Sequence, residues 1–194
     1  MFGAAKVVCY DLRLRESKSY RRESLASTDP LLLEGPALGA HTDITARSGP
    51  EMIKNRLGTD VFEAYRTPEY RFRIVNTWRS RNAVCEHNPL AVCDYRTVDP
   101  EVDLIACDRV IPERAGEVYY IHHSERQQWA TMLIVQCFLK NQTVDEIAVM
   151  LMYDSEPGKQ AKYCPHISFK HLEARPDAPT RRSVETRSIV ITKR

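Results

Sequence analysis

Arg71-Phe72-Arg73-Ile74-Val75-Asn76-Thr77-Trp78 is the stretch on which the fold turns. Phe72, Ile74, Asn76 and Trp78 recur at every second position, the period of a strand with one buried face. Runs of the same kind lie to either side. Residues 6–14 begin with Val7-Val8-Cys9-Tyr10 and then alternate Leu12 and Leu14 with Arg13 and Arg15. Residues 90–94, 103–111, 117–122, 144–153, 167–169 and 183–191 are further strand candidates, bounded by turn residues such as Gly116 and Pro112. One helix is expected, starting at Ser48-Gly49-Pro50-Glu51 and continuing past Gly58 to about Tyr65, before Pro68. Residues 15–36 read as a loop, and residues 132–139 fit a strand or a buried helix equally well. Many short strands and few helices predict a mainly β fold, a sandwich or barrel of the jelly-roll type with one or two flanking helices.

Composition narrows the class. The 194 residues are enough for one domain with a real core, and 43% hydrophobic with 28% charged residues is ordinary for a soluble globular chain. Twenty arginines stand against eight lysines, but they are scattered among acids and the net charge is only +2. A nucleic-acid partner is therefore not expected, because it needs a basic stripe or patch. The six cysteines form no C-x-x-C and no ladder, which fits a reduced, cytoplasmic chain. Cys164, two residues before His166, leaves a mixed Cys/His zinc site open, with no second pair at zinc-finger spacing to support it. No apolar h-region opens the chain. The longest apolar run, residues 129–139, falls short of the roughly 20 residues needed to cross a bilayer, so no membrane partner is expected.

Three triplets place a histidine two residues before an acid: His41-Thr42-Asp43, His123-Ser124-Glu125 and His171-Leu172-Glu173. On a strand, residues i and i+2 point the same way, so such a triplet can offer two ligands to one metal. Non-haem Fe(II) oxygenases need two His and one carboxylate on one face of the ion, with other positions left open. Chain order separates the three. Asp43 precedes His166 by 123 residues, which leaves room for the core strands; Glu125 precedes it by 41, and no His follows Glu173. Arg181-Arg182-Ser183 then puts a guanidinium and a hydroxyl on one strand face, 15 residues past His166. A two-pronged Arg suits the distal carboxylate of 2-oxoglutarate. Arg187 has the same strand parity and is a rival for that role.

Several blocks carry a resemblance over nearly the whole chain. They are residues 7–15, Ala40-His41-Thr42-Asp43, Ile74-Val75-Asn76-Thr77-Trp78-Arg79, residues 89–99 around Leu90-Ala91-Val92-Cys93-Asp94, Glu117-Val118-Tyr119-Tyr120, Tyr153-Asp154-Ser155, Pro165-His166-Ile167-Ser168-Phe169 and residues 181–187. In this order they resemble the fungal AsaB-type hydroxylase/desaturase family, which includes gibberellin desaturases and CmcJ-like proteins. The resemblance implies a double-stranded β-helix oxygenase using Fe(II), 2-oxoglutarate and O₂ to hydroxylate or desaturate a small secondary metabolite. It implies iron held by His41, Asp43 and His166, and 2-oxoglutarate held by Arg181 with Ser183. Asn76, Trp78, Arg79 and Tyr153 are candidate substrate contacts; the alternative for Trp78 is a core position and for Arg79 a buried ion pair. Asp94 and Arg96 are expected to form a structural pair.

Against the family pattern, the chain reads as one oxygenase-like domain over residues 1–194 without the family's N-terminal extension. It also has an apolar insert at residues 131–139, and Leu151-Met152 where the family favours Lys and Cys. These departures support a second expectation, a weakly active or inactive accessory protein of the same fold. A homo-oligomer or a pathway partner enzyme, and a generic cupin-like metal-binding module, are the further readings.

Overall fold

The protein is described by a computed structural model over residues 3–17, 35–111, 114–130, 141–156 and 162–194. The apolar insert expected at residues 131–139, and most of the loop expected at 15–36, lie outside the described residues. Among these, two antiparallel sheets make the fold. One has four strands in the order β1 (Ala4–Glu16), β12 (Arg182–Lys193), β3 (Tyr70–Ser80), β10 (Ile147–Asp154). The other has six: β6 (Leu104–Ile111), β7 (Arg114–Ile121), β2 (His41–Thr42), β11 (His166–Ser168), β5 (Leu90–Cys93), β8 (Trp129–Ala130). A small ribbon pairs β4 (Val84–Cys85) with β9 (Gln142–Thr143). This is a double-stranded β-helix, the jelly roll expected from the strand-rich pattern. No helix of the described residues is long and apolar enough to cross a membrane.

The alternation in β3 and β12 explains the layout. Phe72, Ile74, Asn76, Trp78 and Ser80 are buried on β3, and Ser183, Glu185, Arg187, Ile189 and Ile191 on β12. Register pairs Phe72 with Ile191 and Ile74 with Ile189, then Asn76 with Arg187, Trp78 with Glu185 and Ser80 with Ser183. One inner face therefore has an apolar half, and a second half in which Asn76, Arg187, Glu185 and the two serines surround the core side chain of Trp78. Phe72, Ile74, Ile189 and Ile191 join Met150, Met152, Ile44, Ile53 and Phe62 in the hydrophobic core. Burying each such side chain contributes about 1.5–3 kcal/mol. Met152, one of the two residues standing where the family favours Lys and Cys, is thus a core residue.

Two local departures from the sequence reading have clear causes. The single helix expected to run to Tyr65 is two, α1 (Ser48–Leu57) and α2 (Thr59–Tyr65). Gly58 between them has φ +81°, a conformation that ends a helix and that a side chain would strain. In β1, pairing shifts between Cys9 and Asp11, so the chain bulges at Tyr10 and the alternation changes phase. Leu12 is turned outward, 53% exposed, while Arg13 and Arg15 are half-buried. The arginines find carboxylates there: Arg13 pairs with Asp11 and Arg15 with Glu185.

Candidate metal centre

The polar end of the sandwich gathers His41, Asp43 and His166. His41 on β2 and His166 on β11 are direct cross-strand partners, and their ring centroids lie 4.4 Å apart. Asp43 follows β2 at once, so its carboxylate falls on the same side as His41. His41 Nε2 is 3.8 Å from Asp43 Oδ1, and His166 Nε2 is 3.8 Å from Oδ2. One potential ligand atom from each residue lies within 4.8 Å of the others, and this is the one such group of three His, Cys, Asp or Glu side chains among the described residues. Of the rival triplets, His123 and Glu125 are exposed, and Glu173 is exposed beside a half-buried His171.

Each ligand candidate is held from behind. His41 Nδ1 lies 2.8 Å from the Gly39 carbonyl, and His166 Nδ1 lies 3.1 Å from the Cys164 carbonyl. A proton on each Nδ1 leaves Nε2 of both rings as a lone-pair donor facing the centre. Burial, then the neighbouring His166, pushes His41 down to about 4 even though Asp43 pulls the other way. Its imidazole is therefore neutral at ordinary pH, the form a metal needs. Burial works against an ionised Asp43, but Arg187, His166, His41 and Asn76 outweigh it and hold the carboxyl well below the usual range. Two imidazoles and one carboxylate are the donor set of a non-haem Fe(II) site, so the residues fit that ion.

Arg187 and Arg181 have different surroundings. Arg187, expected as a rival for the co-substrate, is already committed. Its Nη2 is 2.9 Å from Asp43 Oδ1, its Nη1 3.3 Å from Asp11 Oδ2 and its Nε 3.2 Å from Glu185 Oε1. Burial opposes its charge, but Asp43, Glu185 and Asp11 raise its pKa further above the ordinary arginine value. Arg181 is 3% exposed and meets no carboxylate among the described residues. It donates to Ser183 Oγ at 3.1 and 3.3 Å, to the Asn88 carbonyl at 3.1 Å and to Ser168 Oγ. Its guanidinium also sits 5.2 Å from the centroid of the Trp78 ring. Burial draws it down to about 10, still charged at neutral pH.

The other sequence candidates divide. Asn76 is fully buried and donates to both Asp43 Oδ2 and Glu185 Oε1. Trp78 is buried under Arg181, with an indole N–H that has no partner among the described residues. Arg79 is exposed, because odd-numbered residues of β3 face away from the centre beyond Asn76. Its exposure excludes the buried ion pair. Tyr153 is half-buried against the start of α1, where its ring lies over Gly49. Asp94 does pair with Arg96 and caps the 3-10 turn at Tyr95–Thr97. Sequence reasoning missed Glu185, Asp11 and Ser168. Glu185 and Ser168 were visible as i+2 neighbours of Ser183 and His166; Asp11 was not, since only the β1 bulge turns it inward.

A cavity of about 30 Å³ lies against Asp43 and Arg187, walled by Tyr10, Ile44, Met52 and Val118. Burial pushes the Tyr10 hydroxyl there up to about 12.

Comparison with known proteins agrees with this geometry. A family model described as an oxidoreductase/YMDC permease-like domain matches residues 1–191. The chain is 30% identical over 166 residues to the hydroxylase/desaturase efuI of Hormonema carpetanum, covering 80% of this chain and 52% of the relative. It is 30% identical over 192 residues to the Fe(II)/2-oxoglutarate-dependent dioxygenase nvfI of Aspergillus novofumigatus, covering 97% of this chain and 61% of that one. The solved structure of the iron and alpha-ketoglutarate-dependent endoperoxidase NvfI superposes with a TM-score of 0.81 at 28% identity, over all of this chain and 64% of that chain. The chain thus spans about half to two thirds of the length of the relatives it matches. On the matched segment and the intact His-Asp-His cluster alike, the chain belongs to the AsaB-type hydroxylase/desaturase family of Fe(II)/2-oxoglutarate oxygenases.

Proposed function

We propose that the protein uses Fe(II), 2-oxoglutarate and O₂ to hydroxylate or desaturate a small secondary metabolite. The observation that carries this reading is a pair of unmet needs joined through β11: a three-ligand cluster suited to Fe(II) that includes His166, and a buried Arg181 that touches Ser168 and no carboxylate among the described residues. A buried cation that no carboxylate touches is costly, and a co-substrate carboxylate would relieve it. His41, Asp43 and His166 would hold iron. Bound iron supplies redox and Lewis-acid chemistry, with 2-oxoglutarate oxidised to succinate and CO₂ as the substrate C–H is oxidised.

The chain's own residues do the positioning. Arg181 offers a planar fork to the distal carboxylate of 2-oxoglutarate, and the Ser183 hydroxyl that now accepts from it can turn to donate. Trp78 holds the guanidinium plane from one side. Asn76 and Trp78 line the site in this reading, whereas Arg79 and Tyr153 take no part. The whole chain acts as one oxygenase-like domain in a reducing, cytoplasmic setting, where the described cysteines stay free thiols. A second copy or a pathway enzyme would find backbone to pair with at the outer edge of β1.

The test is succinate formation. Purified protein given Fe(II), 2-oxoglutarate and O₂ should release succinate even without a substrate, and His166→Ala should abolish it. Stoichiometric iron binding with no succinate under any condition would favour the accessory reading.

A further inference from the structure

The three candidate ligands all belong to the six-stranded sheet or the turn directly after β2. The groups that orient Asp43 belong to the four-stranded sheet. Arg187 on β12 and Asn76 on β3, which are register partners, reach across and take one carboxylate oxygen each. We propose that Arg187 is a positioning residue of the metal centre. It holds Asp43 in the rotamer that faces His41 and His166, and so makes metal binding and the docking of the two sheets one coupled event. This inference rests on the metal-centre reading above.

The geometry leaves Arg187 little freedom. All three of its nitrogens are engaged with different carboxylates, on Glu185, Asp11 and Asp43. Asn76 closes the ring by bridging Asp43 and Glu185. Two anchors fix the guanidinium on its own sheet, and the third contact is the one that crosses. Both oxygens of Asp43 have a second lone pair, so a contact from behind leaves the side facing the imidazoles available. Fixing a ligand's orientation is what outer hydrogen bonds do at metal sites, and their loss typically costs about 10–100-fold in affinity. A lysine would keep the charge but cannot present three donors in a fixed plane.

The experiment uses the whole chain and Co(II) as the probe, without 2-oxoglutarate. The parent protein should bind one equivalent, show a visible absorption band and melt at higher temperature with metal than with EDTA. His166→Ala should lose all three, and if it does not, the metal-centre reading itself fails. Arg187→Met, folded by circular dichroism, should bind Co(II) about 10–100-fold more weakly, with an altered band and a smaller rise in Tm. Arg187→Lys should recover part of each. If Arg187→Met does not fold, Asp11→Asn replaces it: it removes one anchor, leaves the Asp43 contact and should weaken Co(II) binding several-fold. A folded Arg187→Met or Asp11→Asn whose affinity, band and Tm rise all match the parent would overturn the role of Arg187 while leaving the metal centre intact.

Discussion

Arg181 and Arg187 are six residues apart and both buried, and their surroundings differ. Three carboxylates saturate Arg187, whereas Arg181 has only hydroxyls, a carbonyl and the Trp78 ring. The consequence is testable at one side chain. Arg181→Met should weaken 2-oxoglutarate binding by about 100-fold, the ~2–3 kcal/mol of a charge-assisted pair. The same change should alter the stability of the metal-free protein by less than about 1 kcal/mol, because it also removes a buried charge that no carboxylate touches among the described residues. Titration with 2-oxoglutarate and a denaturant melt measure the two halves; unchanged 2-oxoglutarate affinity would move the co-substrate elsewhere. At this scale the sequence was informative wherever chemistry is local. His41 and Asp43 are i and i+2, and Arg181 and Ser183 are likewise, so each pair could be read from strand period alone. The choice between Arg181 and Arg187 could not, since it depends on Asp43 and Asp11 arriving from distant parts of the chain. Arg79 is exposed for a related reason: adjacency to Trp78 on a strand means the opposite face.

The elements were legible through alternation, and their departures occur where one residue interrupts the period. Gly58 divides the helix, and the bulge at Tyr10 turns Asp11 inward while turning Leu12 out. Neither shows in hydrophobic pattern, because Gly is tolerated in a helix at modest cost and a bulge is a property of pairing. Gly49 is a sharper case. It lies in the first turn of α1 directly beneath the Tyr153 ring, and a methyl group there would overlap ring carbons. Helix propensity alone would favour Ala by about 1 kcal/mol. Contact with β10 overrides it, so Gly49→Ala should destabilise the protein by about 1–3 kcal/mol, read from a denaturant melt. Adding Tyr153→Leu should relieve the overlap, and the double variant should lose less than the sum of the two single changes. Additive losses would mean that α1 and β10 do not meet at this point.

At the scale of the molecule, the two sheets are joined by different physics at their two ends. Phe72, Ile74, Ile189 and Ile191 join one end through apolar packing with Met150, Met152 and the helices. Asn76 and Arg187, both braced by Glu185, join the other through polar contacts to Asp43. The strand-rich pattern led to two packed sheets, but not to this division, because it depends on which half of β3 faces which half of β12. A ligand that binds only the closed arrangement stabilises it by mass action. Metal should therefore tighten the polar end selectively, even though both ends share the same two strands. In amide exchange, residues 40–44, 165–168 and 183–187 should slow by up to about 100-fold when metal is present at a hundred times its dissociation constant. Residues 70–74 and 189–193, held by the apolar core, should change far less, and so should β6, which pairs only with β7 among the described strands. Adding EDTA should reverse the effect. Uniform slowing along all of β12 would show that the sandwich opens only as a whole, and no slowing at 183–187 would show that metal on one sheet does not reach the other.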